Sequence, residues 1–144
     1  MDSTSFEKLI NKAYENMRMA SFAIDCIMER IENPDLAALL RKQNKFYLDT
    51  TNSIESLART SNVELNDINA FAKTMSFISI KMKTLTDNDS TKLSEMLIQG
   101  TTMGITDAIK ASREYQTSNE ELKEIMDRII SHEEEFVDSL KTFL

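Results

Sequence analysis

Asp107 and Glu133 each fall near the centre of an otherwise apolar helical face, where an unpaired charge is costly. An acid so placed can bind a metal, exchange a proton, or tie facing helices into register through a buried polar network. What shares its height decides which. With tight turns as fixed points and a rise of about 1.5 Å per residue, Glu133 levels with Gln99 and Gly100. Gln43, Tyr47 and Ser21 fall within about a turn of it. Glu133 is the only carboxylate of that layer. The other members are amides, a phenol and a hydroxyl, which serve hard metals badly. The expectation is a core polar layer of Ser21, Gln43, Tyr47, Gln99 and Glu133, able to frame a small-molecule pocket and holding no metal. Asp107 is expected as a second buried acid, and a register-fixing network accounts for both acids more simply than a ligand site does. His132, the only histidine, lies beside the apolar stripe and reads as a solvated or partly buried side chain. No catalytic motif accompanies these residues, and no cofactor is implied.

The stretch "MLIQGTTMGITD" holds Gly100 and Gly104, the two glycines of the chain. Each costs a helix about 1 kcal/mol relative to alanine, so each needs a reason. Space is the expected one: Gly100 beside Glu133, and Gly104 at a close helix–helix crossing. "GTTMG" also fits the small-xxx-small spacing that lets helix backbones approach. The internal methionines follow core spacing and read as gap-fillers. Cys26 has no partner for an internal disulfide, which fits a reducing cytosol.

These residues need long helices to position them. The chain has 144 residues, one proline and few aromatics, which leaves little for hairpin turns and predicts an all-α single domain over 1–144. Apolar residues recur at three- and four-residue steps in five segments. The first runs from about Ser5 to Glu32. The second opens where Asn33 can cap, Pro34 takes the first helical position and Asp35 suits the N-terminal dipole. Ser61–Glu64 spells a capping box for a third helix over about 64–86, and "TDNDS" interrupts before the fourth. Ser118–Glu121 spells another box for the fifth. Four of the segments run about 26–28 residues, about 40 Å each, which predicts a bundle. The third would then be the traverse joining two helical hairpins. Phe77 and Ile80 lie on the face opposite its Phe71–Met75–Ile78–Met82 stripe, so this helix has a second apolar surface to cover.

"YENMRMASFAIDCI", "LLRKQNKFYLDT", "SIKMKTLTDNDSTKLSEMLIQGTTMGITD" and "EEEFVDSLKTFL" resemble a family of small bacterial ferritin-like proteins to which no activity is assigned. The resemblance implies a ferritin-like antiparallel four-helix bundle with an additional helix between the hairpins. Di-iron bundles present a Glu from each of two helices and Glu-x-x-His from each of the other two. Here the residue three before His132 is Ile129, and neither motif exists.

Lysine and arginine number 17 against 24 acids, a net charge of −7, with no basic run. That argues against nucleic acid and anionic membrane surfaces. No stretch of about 18 apolar residues could span a bilayer, and "MDSTSFEKLI" lacks the features of an export signal. The sequence points to a cytoplasmic, non-catalytic bundle acting through protein contacts or as a structural component, in a coat or another assembly. A homodimer through Phe77 and Ile80 is expected, or contact with another protein. The alternative is a metal-binding or oxidoreductase bundle with a non-standard carboxylate site.

Overall fold

The computed structural model describes residues 2–85 and 89–144. Every regular element among them is helical. Helix α1 (Asp2–Ile27) ends in a 3-10 turn, Met28–Arg30, and α2 spans Pro34–Thr60. A second 3-10 turn, Ile68–Phe71, leads into α3 (Ala72–Lys83), followed by α4 (Ser90–Glu114) and α5 (Glu120–Lys141). None of these helices is long and apolar enough to cross a membrane.

The first helical hairpin closes as its residues dictate. The Asn33 side chain accepts from the backbone N–H groups of Asp35 and Leu36, and Pro34 sits at the first position, where no N–H is needed. Both expected capping boxes are corrected. Ser61 ends α2 instead of starting α3. Asn62 adopts a left-handed backbone (φ 56°), Val63 N–H bonds Ala58 O at 2.9 Å, and Asn62 N–H bonds Arg59 O at 3.3 Å. That is a Schellman termination, and asparagine tolerates it better than most residues. Residues 63–67 then run without helix, and the Asp67 side chain, bonded to Asn69 N–H, opens the turn before α3. The third helix is therefore shorter than 64–86, and residues 86–88, within "TDNDS", lie outside the described residues. At the last helix Asn119, one residue after Ser118, is the cap, accepting from Leu122 N–H at 2.9 Å. Ser118 spends its N–H and hydroxyl on the Asp2 carboxylate.

Four long helices pack as a ring: α1 on α2, α2 on α5, α5 on α4, and α4 on α1. Hydrogen bonds between elements fix their directions. Asn66 N–H meets Asn11 Oδ1 at 2.7 Å near the start of α1. At the other end of that helix the Arg30 guanidinium donates to Met82 O at 2.6 Å and also to Leu85 O. So α3 climbs alongside α1, its principal neighbour. Thr91 of α4 bonds Phe143 O, while Ser118 reaches Asp2, so α4 descends and α5 rises. Every adjacent pair in the ring is antiparallel.

The apolar stripes meet inside this ring. Ile10, Met17, Ile24, Leu36, Leu40, Ile54, Leu93, Leu122, Ile125 and Ile129 are essentially inaccessible. Each large side chain so buried contributes about 1.5–3 kcal/mol before entropy is counted. Helix α3 adds only Met82 to the buried residues, preceded by Phe71. Phe77 and Ile80 stand out from it, 64% and 62% exposed.

Candidate functional site

Glu133 lies midway along α5 on the stripe formed by Ile125, Met126, Ile129 and Phe136, which is why the helix carries it inward; it is 1% exposed. Tyr47 of α2 is buried close by. Burial first, and the nearby Glu133 carboxylate second, push the Tyr47 hydroxyl far above its ordinary range, so it stays a neutral phenol. Gln43, a turn earlier on α2, is near enough to Tyr47 to ease its ionisation, yet its Nε2 makes no hydrogen bond. On the α1 side, Asn16 donates Nδ2 to Gly104 O at 3.0 Å. A Cβ placed on Gly104 would lie 2.9 Å from Glu133 Oε2 and 3.4 Å from Asn16 Oδ1. The absence of a side chain at Gly104 thus lets oxygens from α5 and α1 pack close against α4.

Nothing in that cluster compensates the acid. Glu133 Oε1 has no hydrogen-bond partner. Burial, and then the Asp107 carboxylate on α4, push the Glu133 carboxyl up to about 8. At neutral pH it is mostly the protonated acid. The cluster forms the floor of a groove of about 530 Å³ between α1, α3 and α4. Met19, Ala20 and Ala23 of α1 line its base, Phe77, Ile78 and Met82 of α3 one wall, and Met96, Gly100 and Met103 of α4 the other. Such a volume and apolar lining, with a few convergent polar groups, are those of a small-molecule site. The methionines make the walls adaptable.

Four expectations about the site are corrected here. Gln99 is exposed, and nothing lies within 4 Å of a Cβ on Gly100, so neither belongs to a polar layer in the core. The glycine beside Glu133 is Gly104. The link between α4 and α5 is not a tight turn: residues 115–119 are non-helical, and Glu133 lies beside Gly104 instead of Gly100, a shift of about one turn. Asp107 is exposed on the groove wall, not buried, though close enough to act on Glu133. Ser21 is buried but donates to Asn44 Oδ1 at 2.7 Å, and Asn44 in turn donates to Asp25, so it belongs to the α1–α2 seam. Of the expected layer, Gln43, Tyr47 and Glu133 do come together. His132 is exposed and stacks on Phe46, ring centroids 3.9 Å apart.

Asn16 escaped sequence reasoning, although its position between Ala13, Met17 and Ala20 put a polar residue at the edge of the apolar stripe. Arg30 escaped it too. Its role as a clamp on the α3 carboxyl end depends on α3 lying beside α1, which local pattern does not reveal.

No family model, curated protein or solved structure matches the chain. The site has to be read from its own chemistry. A di-iron centre would need several inward carboxylates and paired histidines. Glu133 faces amides and a phenol, and among the described residues no three His, Cys, Asp or Glu side chains come together. These residues do not fit such a metal.

Proposed function

We propose that this chain is a non-catalytic, ferritin-like helical bundle that works by binding, and that it binds in the groove between α1, α3 and α4. Two antiparallel hairpins joined by a full-length crossover support the ferritin-like description. The observation that carries the binding reading is the inaccessible Glu133 carboxyl, without a partner for Oε1, at the floor of an apolar groove. An ordinary core satisfies such a group. Nile red, an uncharged dye that brightens in apolar surroundings, should bind saturably with one site per chain. Ala20→Phe at the base of the groove, and separately Met103→Lys on its wall, should weaken binding while circular dichroism remains unchanged. Leu48→Lys, outside the groove lining, should leave it intact. Absence of saturable binding, or indifference to both groove substitutions, refutes the reading.

A second reading, protein contact through self-association, is favoured by the exposure of Phe77 and Ile80 on α3. Phe77→Lys with Ile80→Lys should convert a dimer into a folded monomer by light scattering. A wild-type monomer, or an unchanged dimer, counts against it.

A further inference from the structure

We propose that the groove takes an amphiphile with an ammonium head, seated against Glu133, Asn16 and Asp107, its apolar chain lying along the methionine-bearing walls. This rests on the groove being a binding site and adds the chemical class of its ligand.

The head position follows from what converges there. Because Gly104 has no side chain, Glu133 Oε2 and Asn16 Oδ1 pack close against α4, 2.9 Å and 3.4 Å from where a Cβ would stand, which gathers both side chains at the groove lining. The Asn16 amide is oriented by its own bond from Nδ2 to Gly104 O. Glu133 Oε1 is unpartnered and its side chain is 1% exposed. Asp107 stands on the groove wall three residues beyond Gly104 and places a negative charge near the Glu133 carboxyl. Neither acid takes part in the ion pairs among the described residues, which join Lys45, Lys92, Lys123 and Lys141 to other acids.

An ammonium group carries three donors and no acceptor, which matches a ring of oxygens. A carboxylate head is opposed by the Asp107 charge and could be met by Glu133 only as the neutral acid. A hydroxyl head would satisfy one oxygen and leave Asp107 unused. A hard metal ion needs more ligands than these, and among the described residues no third acid, histidine or cysteine joins them. Farther out, Lys12 and Glu15 of α1, Lys81 of α3, and Lys110 and Glu114 of α4 line the groove. Three lysines against two glutamates leave one positive charge in excess, which the Asp107 charge offsets, so the negative charge beside an incoming head is that of Asp107, and of Glu133 once it ionises. An arriving cation stabilises the ionised form of Glu133, so binding at neutral pH releases a proton from it to solvent.

The probes are decylammonium, decanol and decanoate, each displacing Nile red from the intact chain at pH 7. Decylammonium should bind at least about tenfold more tightly than the other two, the scale of a charge-assisted hydrogen bond in a buried site. Glu133→Gln, which keeps the shape, should remove that advantage while leaving decanol unchanged. Asp107→Asn should reduce it in part. Titration calorimetry in two buffers of different ionisation enthalpy should show proton release with decylammonium and not with decanol. Equal displacement by the three probes, or full decylammonium affinity in Glu133→Gln, overturns the headgroup assignment and leaves the groove reading standing. Failure of Nile red itself to bind overturns both.

Discussion

Replacing Glu133 by glutamine should change stability in a way that depends on pH. In the unfolded chain the carboxyl titrates at its ordinary value of 4.5; in the fold, burial and then Asp107 raise it to about 8. The groups facing it are Asp107 from α4, Asn16 from α1, and the neutral Tyr47 and Gln43 from α2. None supplies a positive charge. Below pH 4.5 both states hold the proton and the group costs nothing. Between 4.5 and about 8 the unfolded chain releases it while the folded chain keeps it, so stability falls as pH rises. The slope is up to about 1.4 kcal/mol per pH unit, and the accumulated loss by pH 8 is of order 3–5 kcal/mol. That is a large share of the ~5–15 kcal/mol typical of a domain. Glu133→Gln keeps the shape of the neutral acid and cannot ionise. The two proteins should therefore match near pH 4.5, and the variant should gain steadily toward pH 8. Urea denaturation followed by circular dichroism at half-unit pH steps measures the difference directly. A difference that stays flat across that range would mean that Glu133 is solvated or paired in the fold, and the reasoning about its environment would fail.

The two glycines should respond in opposite ways. Gly100→Ala fills open space and should gain about 0.5–1 kcal/mol from helix propensity, whereas Gly104→Ala forces the Glu133 carboxyl aside and should gain nothing or lose about 1–2 kcal/mol; equal gains in denaturant midpoint would remove the space argument. Ser94, inaccessible with an unpartnered hydroxyl, should become about 1 kcal/mol more stabilising as alanine, and a loss in thermal unfolding would reveal a hidden partner. Arg30→Ala should free the carboxyl end of α3 and speed amide exchange in that helix selectively, while exchange in α5 stays unchanged; a uniform effect would deny the clamp.

The helices were legible in the sequence because period and caps agree over long stretches. Asn33, Pro34 and Asp35 act as their types suggest, and the alternation of three- and four-residue apolar steps marks the buried faces of α1, α2, α4 and α5. Local signals misled where two motifs share letters. Ser61-Asn62-Val63-Glu64 spells an N-terminal box, yet Asn62 in a left-handed conformation ends the helix, and only the chain's need to leave α2 there decides between them. The burial of Glu133 was readable from its stripe. Its partner glycine was not, because helix heights depend on how far a connecting segment travels, and sequence does not say whether five residues turn tightly or run on. The groove was beyond reach for a different reason. It exists because α3 stands off from α4, and the spacing of two non-adjacent helices leaves no periodic trace in either.

The crossover is longer than connection requires. Helices α1, α2 and α4 hold 25–27 residues, a length of about 40 Å, and an extended chain spans that distance with about a dozen residues. Between Thr60 and Ser90 the protein uses 29. The surplus forms α3, which adds one buried residue, Met82, to the interior and lines the groove with it and with Phe77 and Ile78. A ring of four helices would close without that wall, and its floor acid would then open onto bulk water. Segment 61–89 is thus the stretch on which the proposed groove depends and the closure of the four-helix ring does not.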